Sequence, residues 1–588
     1  MFGLTYSDLL NQNRRLEKEL TGRAYRIALL SNITVAPLKE ILEYALRSYG
    51  VNAVVEVGNY DNIVQDSASF AEADAVVIFW EAANVIEGFH YRAGLLSERE
   101  FEDVLAKFRA ELSIALRNLQ RRPLVLVNAQ SSLVFSDKSL RETALERFCR
   151  HANAVIREAA PANTVIVDID KILAQQSIPG SVDLRLYTSS KALYTLGFFE
   201  RYAEQVRPYF LSATGRAKKA LVFDCDNTLW KGVLGEDGFD GIEMSSRTRD
   251  GRAFEEVQAI ALQLQRQGVL LGICSKNNSE DVNRVLSGHL DMLLRSENFA
   301  GVRLNWNDKV TNLRALSKSW NIALDSIVFV DDSEFELDLV RRHLPEVTTI
   351  KVPAALHEYP GLITRHAGLF FQLSTSAEDA HKTLLYQKEV ERQQAEESST
   401  NLEDYVRSLE LRIRVHSDAR AIAPRIAQMT QKTNQFNLTT TRYTEADIAR
   451  MIGDSRYLVT AISVADRFGD YGVTGLCIVV LSEDETTACI DTLLLSCRVL
   501  GRNVEFAFLN YLMKDLRQRG MKRVQALFLS TNKNIQVADF FDRAGFQLLE
   551  STQDRRLYEV NPNEFSPPDV AYIDVREDDA VDSAKELA

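Results

Sequence analysis

Two aspartates stand two residues apart at the end of a short apolar run, where Ala220 to Phe223 leads into Asp224-Cys225-Asp226-Asn227-Thr228. The run reads as a strand, and residues i and i+2 of a strand lean to one side, so both carboxylates face the same space. Carboxylates held that close repel unless a cation lies between them, and an all-oxygen site of this kind suits Mg²⁺. With the metal in place, one carboxylate can attack phosphorus while the other donates or takes a proton. The plainer reading is an acidic turn after a core strand. The DxD spacing alone leaves that open, and the continuation through Leu229-Trp230 to Gly235-Glu236-Asp237-Gly238 argues against it.

The segment resembles the first motif of the haloacid dehalogenase (HAD) superfamily, DxDxT, and three further pieces follow in order. Val269 to Ile273 is a second apolar run that leads through Cys274 to Ser275, Lys276, Asn277 and Asn278. Ser275 matches the superfamily's phosphate-binding hydroxyl. Asn305 to Lys309 comes next, with Lys309 in place to neutralise phosphoryl charge. Ile327 to Val330 then runs into Asp331-Asp332-Ser333, a carboxylate pair that would complete the metal shell. Each piece alone is weak, since a lone lysine is usually a solvated charge. The ordered set is specific, and all of it falls at strand carboxyl ends, where open parallel sheets gather functional groups. Residues 216–372 are read as a Rossmann-like HAD domain.

These elements need a larger frame. A chain of 588 residues is too long for one core, and about three or four domains is the expectation. Apolar content of 46% and charged content of 26% match globular proteins. The net charge of −13 disfavours broad attraction to nucleic acid or anionic membrane. Six scattered cysteines form no CxxC pair, which fits a reducing compartment without structural zinc. The first twenty residues show no signal-peptide core, and no apolar run approaches a membrane span. A cytoplasmic location is expected.

Residues 1–212 read as a separate α/β domain. Its strands are expected at Arg26 to Leu30, Ala53 to Val57, Ala75 to Trp80, Leu124 to Asn128 and Thr164 to Asp168, with helices between, such as Leu38 to Tyr49 and Glu98 to Leu119. A strand followed by Ser31-Asn32 resembles the first block of SGNH hydrolases. A working esterase would need a Gly-Asp-Ser turn and a late Asp-x-x-His pair. The late segment is instead Asp183-Leu184-Arg185-Leu186-Tyr187, so a non-catalytic role in docking or substrate positioning is expected.

Residues 373–401 have the alternating charges of a solvated connecting helix, and the acidic, Pro-containing stretch 561–588 reads as a disordered tail. Between them, residues 402–560 resemble the GNAT acyltransferase fold. Strands are expected at Leu411 to Val415, Leu458 to Asp466, Val473 to Leu481 and Ala488 to Leu495. The last runs into Ser496-Cys497-Arg498-Val499-Leu500-Gly501-Arg502-Asn503 and a helix reaching Arg519. A turn with Arg498, Gly501 and Arg502 ahead of a helix offers N–H groups and positive charge to a pyrophosphate, as GNAT enzymes do for coenzyme A. Asn503 stands where a small residue is usual, which weakens a grip on free coenzyme A. The phosphopantetheine arm of a carrier protein, with its single phosphate, could meet the same turn.

Cys497, beside that turn and a helix N-terminus, is in a setting that favours thiolate and could relay an acyl group; the alternative is a small buried hydrophobe. Cys225 and Cys274 read as core packing.

The motifs at Asp224 to Gly238, Cys274 to Asn278, Asn305 to Lys309 and Phe329 to Ser333, with Asn434 to Thr444, Asp466 to Gly472 and Ser496 to Glu505, together resemble the FkbH family over nearly the whole chain. That resemblance implies a HAD type-IIIC domain joined to a GNAT-like one, often after an SGNH-like domain. It implies glyceryl transfer from 1,3-bisphosphoglycerate, with loss of phosphate, onto an acyl carrier protein in polyketide or nonribosomal peptide assembly. By the family pattern Asp224 is the nucleophile and Asp226 the acid/base. Mg²⁺ is held by Asp224, by Asp226 through its backbone carbonyl, and by Asp331 and Asp332, while Ser275 and Lys309 take the phosphoryl oxygens. The sequence departs from the family at Lys231, usually glycine, where it could alter substrate choice, and at Glu334 to Leu337. The other reading is a HAD phosphatase for another phosphorylated small acid, with the GNAT-like domain as a carrier-protein dock or an ordinary acyltransferase.

Overall fold

The computed structural model describes residues 4–70, 72–135, 141–373, 407, 409–467, 469–482, 486–496, 499–531, 533–552, 554–566 and 570–577. The chain divides into two compact units, Met1–Arg216 and Ala217–Ala588.

The first unit is built on five parallel strands, β1 (Tyr25–Ser31), β2 (Ala53–Val57), β3 (Ala75–Phe79), β4 (Leu124–Asn128) and β5 (Thr164–Val167), in the order β2-β1-β3-β4-β5. Every residue of β3 and β4 is buried, as strands covered by helices on both faces require. Ser97 and Glu100 form a capping box that starts the Glu98–Leu119 helix. Ser31, at the end of β1, is 5% exposed and donates its hydroxyl to the Phe79 carbonyl at 2.9 Å.

The second unit holds two sheets. The first has five parallel strands, β6 (Ala220–Phe223), β7 (Leu270–Ser275), β8 (Phe299–Leu304), β9 (Ile327–Asp331) and β10 (Thr348–Lys351), in the order β10-β9-β6-β7-β8. β6 is central, so its carboxyl end opens between those of β9 and β7. On β7 and β8, Gly272 and Gly301 stand side by side. A Cβ on Gly272 would come within 2.5 Å of Trp320, and one on Gly301 within 2.9 Å. The paired glycines therefore make the seat for that indole, which is fully buried.

The other sheet contains β11 (Arg412–Ser417), β12 (Phe436–Asn437), β13 (Tyr457–Asp466), β14 (Gly469–Leu481), β15 (Thr487–Leu495), β16 (Arg523–Leu529), β17 (Gln547–Ser551), β18 (Arg555–Val560) and β19 (Asp574–Glu577). Its order is β17-β18-β16-β15-β14-β13-β11-β19, with β12 paired to β15 off that path. The ladder is antiparallel except at β15/β16 and β11/β19.

The expected disordered tail is corrected here. Residues 570–577 are ordered: β19 pairs with β11, and Val570 and Ile573 are 7% and 5% exposed. The acidic composition hid an apolar set that packs into the core and covers an otherwise open sheet edge. Residues 578–588, and the connecting helix expected over 373–401 except Leu373, lie outside the described residues. Among the described residues no helix is long and apolar enough to cross a membrane.

Candidate active site

The parallel sheet of the second unit brings together five of the residues singled out in the sequence, Asp224, Ser275, Lys309, Asp331 and Asp332. Asp224 follows β6, its N–H bound to the Val330 carbonyl at 2.9 Å, and Ser275 and Asp331 end β7 and β9. Lys309 is the first residue of the Lys309–Ser319 helix, whose N-cap Asp308 accepts the Thr311 N–H at 2.8 Å. A cation at a helix N-terminus opposes the helix dipole. Lys309 is held there by acceptors: its ammonium bonds to the Asp224 carboxylate, to the Cys274 carbonyl at 2.7 Å, and lies 3.4 Å from Asp331 Oδ2. Burial works against its charge, but the neighbouring Asp224, Cys274 and Asp331 outweigh that and raise its pKa above the ordinary lysine range.

Carboxylate oxygens of Asp224, Asp331 and Asp332 all lie within 4.8 Å of one another. Asp331 Oδ1 accepts the Ser333 N–H at 2.8 Å, whereas Oδ2 is buried without a hydrogen-bond partner. Burial first, then the charge of Asp224, pushes the Asp331 carboxyl upward, and the same two causes act on Asp332. The Lys309 ammonium meets two of these three carboxylates, Asp224 and Asp331. The surplus negative charge, the orphaned oxygen and the all-oxygen donor set fit a hard divalent cation such as Mg²⁺.

The Asp226 carboxylate is not among the three clustered ones. Its Oδ1 accepts from Trp230 Nε1 and from the Leu234 N–H, both at 3.0 Å, and its Oδ2 accepts from Asn277 Nδ2 at 2.8 Å. Burial raises its pKa most, and the Leu234, Trp230 and Asn277 donors pull it back. The backbone bends sharply here. Asn227 adopts φ +51° and Gly232 φ +101°, and their reciprocal hydrogen bonds close the turn. In the sequence the one signal of this pair is the place of Asn277, an amide donor two residues past Ser275.

Lys276 donates to Glu336 at 2.6 Å, joining the segment after β7 to the Glu334–His343 helix. Lys231 is engaged by Asp250 at 2.9 Å. Cys225 and Cys274 are fully buried, and burial pushes the Cys274 thiol up to about 12. Burial raises the Cys225 thiol as well.

The chain resembles, in fold, the N-terminal part of the protein BF1531 from Bacteroides fragilis, which contains a phosphatase domain and was crystallised with Mg. The TM-score is 0.55 at 21% identity, over 63% of this chain and 100% of that one. Over the C-terminal region, the ribosomal-protein-S18-alanine N-acetyltransferase of Escherichia coli aligns at 14% identity, covering 25% of this chain and 93% of that one, TM-score 0.21. The GNAT domain of S. lividans PAT aligns at 16% identity over 25% and 89%, TM-score 0.21. No family model and no curated protein matches the sequence. The chain is a multidomain α/β protein, with a parallel five-stranded sheet in the first unit and a parallel five-stranded and a mixed nine-stranded sheet in the second.

The turn expected to bind a pyrophosphate looks different from its reading in the sequence. Cys497 and Arg498 lie outside the described residues. Gly501 is at φ +78° with open space where a Cβ would sit. Arg502 is turned inward: it is 7% exposed and donates to Tyr471 Oη at 2.6 Å, with Asp466 Oδ2 3.8 Å away. A buried guanidinium finds its acceptors in the core, so the expected presentation of Arg502 to a phosphate is corrected.

Proposed function

We propose that the protein is a Mg²⁺-dependent HAD-type phosphatase and glyceryltransferase, acting on 1,3-bisphosphoglycerate and loading the glyceryl group onto an acyl carrier protein. The observation that carries the phosphatase part is the convergence of Asp224, Asp331 and Asp332 around the buried Lys309. The glyceryl and carrier-protein part rests on the sequence resemblance to the FkbH family.

In this reading Asp224 attacks phosphorus and the bond to the substrate alkoxide breaks, leaving an aspartyl-phosphate. Asp226 gives its proton to the departing oxygen. It then takes a proton from the water that attacks the aspartyl-phosphate, which frees Asp224 and inorganic phosphate. Ser275 and Lys309 bind the phosphoryl oxygens, and the three donors on Asp226 fix its position. Mg²⁺, held by Asp224, Asp331, Asp332 and, as the resemblance implies, the Asp226 carbonyl, would supply charge neutralisation for a reaction whose uncatalysed form is extremely slow. Acyl transfer needs a thiolate to attack the acyl-phosphate carbonyl and expel phosphate, with Cys497 as the candidate.

Intact-protein mass spectrometry tests the reading. The protein, Mg²⁺, 1,3-bisphosphoglycerate made in situ and a phosphopantetheinylated carrier protein are mixed. A carrier-protein gain of one glyceryl group, lost with Asp224→Asn, is expected, and Cys497→Ser in the same run tests the relay. Phosphate release without any gain would favour the second reading, a phosphatase for another phosphorylated small acid. The inward-turned Arg502 is the observation on that side.

A further inference from the structure

The GNAT-like sheet parts where its two parallel strands diverge. β15 and β16 are in register only from Thr487 to Ile490 against Arg523 to Ala526. Past that point β15 continues to Leu495 and β16 to Leu529, and their facing edges no longer pair with each other. The other edge of β15 is taken by β14 along its length. An extended ligand carrying amides, such as the pantetheine arm of coenzyme A, gains affinity by adding to an edge of this kind as an extra strand. The phosphate end of such a ligand would lie at the N-terminus of the following helix, Val504–Gln518.

Both places are filled by the chain itself. β12 pairs with the far end of β15, Phe436 with Leu495 and Asn437 with Leu494. The Leu438 N–H donates to the Leu493 carbonyl at 3.1 Å, and the Leu438 carbonyl accepts from the Leu529 N–H at 2.8 Å, so one residue bridges both edges of the gap. Asn534 locks the wedge. Its Nδ2 donates to the carbonyls of Asn437 and Leu529, each at 2.9 Å. Phe436, Asn437, Leu438 and Asn534 are between 0% and 3% exposed, and the Phe436 ring packs edge-on to Phe540 with centroids 5.1 Å apart. This wedge is core.

At the helix N-terminus, Glu505 stands in the first turn, 7% exposed, with its carboxylate against its own N–H. The Glu505 side chain already occupies the positive end of the helix, where a ligand's phosphate would lie. Arg502, the cation of the turn among the described residues, is held by Tyr471 and Asp466.

We infer that the C-terminal domain does not take coenzyme A: its own Phe436–Leu438 segment fills the cleft between the diverging strands as a built-in substitute for an extended amide ligand. The domain keeps the fold of an acyl-coenzyme A enzyme without the site. The inference is independent of the phosphatase chemistry, which uses other residues.

Titration of the full-length protein with coenzyme A and with acetyl-coenzyme A by calorimetry, alongside amide hydrogen exchange, tests it. The expected result is no saturable binding tighter than about 1 mM. The amides of Leu438 and Leu529 should exchange slowly, at rates unchanged by either ligand. That protection also certifies that the domain tested is folded. Saturable binding tighter than about 1 mM would overturn the inference. So would fast exchange at Leu438 and Leu529 without ligand, since a segment that opens freely does not fill the cleft.

Discussion

Lys309 Nζ lies 3.4 Å from Asp331 Oδ2, with both side chains buried to within 3% of full burial. The lysine comes from the start of a helix and the aspartate from the end of a strand, and their meeting makes one cation common to Asp331 and Asp224. Removing that cation leaves carboxylates buried against one another.

Replacing it, as in Lys309→Met, should abolish measurable phosphate release and lower stability by about 3–5 kcal/mol, the cost of breaking a buried ion pair. Phosphate assays and denaturant melts of the purified variant check both. Turnover near the parent rate would remove Lys309 from the site.

Metal binding should be visible as stability. A ligand that binds only the folded state at 100 times its Kd adds about 2.7 kcal/mol. Millimolar Mg²⁺ should therefore raise the Tm of the second unit and EDTA should reverse it. In Asp332→Asn or Asp331→Asn the rise should be lost. A full Mg²⁺ shift in those variants would place the cation elsewhere.

Asn277 positions Asp226 through a 2.8 Å hydrogen bond. A bond to a charged group is worth about 1.5–3 kcal/mol, so Asn277→Ala should lower kcat roughly 10- to 100-fold with KM little changed. Steady-state kinetics on a generic phosphate ester are enough for this comparison. An effect confined to KM would assign Asn277 to substrate binding instead.

The seat of Trp320 should be sensitive to a single methyl. In Gly272→Ala the new Cβ would fall 2.5 Å from the indole, and overpacking of this kind costs about 1–3 kcal/mol. A lowered denaturation midpoint for the second unit, with the first unit unaffected, is the expected outcome.

The first unit carries a pH-sensitive group. Glu81 accepts from Tyr194 Oη at 2.7 Å and from the Ala83 N–H at 3.2 Å, yet burial dominates and pushes its carboxyl up to about 7 from an ordinary 4.5. A pKa raised on folding means the folded state holds the proton more tightly. Its contribution is fully present below about pH 4.5 and is lost as pH rises through about 7. At ~1.4 kcal/mol per pKa unit this amounts to about 3 kcal/mol. Chemical denaturation of the first unit between those pH values should show the slope, and Glu81→Gln should flatten it.

The sequence by itself determined which residues end the strands of the second unit's parallel sheet. Asp224, Ser275 and Asp331 were legible because strand ends in a parallel sheet fall on one edge, whereas Lys309 opens a helix. Apolar runs that stop abruptly on polar residues therefore announce a site before any tertiary contact is known. In the first unit β3 and β4 were legible because fully buried parallel strands are continuous apolar runs.

What only the tertiary structure decided involves contacts between residues far apart in sequence. That the Asp226 carboxylate turns to Trp230 and Asn277, away from the three clustered acids, depends on a sharp turn held by Asn227 and Gly232. That Arg502 faces the core depends on Tyr471 and Asp466, more than thirty residues earlier. β12 is two residues long, too short for any periodicity to signal, and it exists because β15 and β16 diverge and leave edges to satisfy. β19 was hidden by acidic composition, and pairing with β11 orders it. Local pattern fixes which residues end a strand; which partner a buried polar group finds is set by the packing of the whole chain.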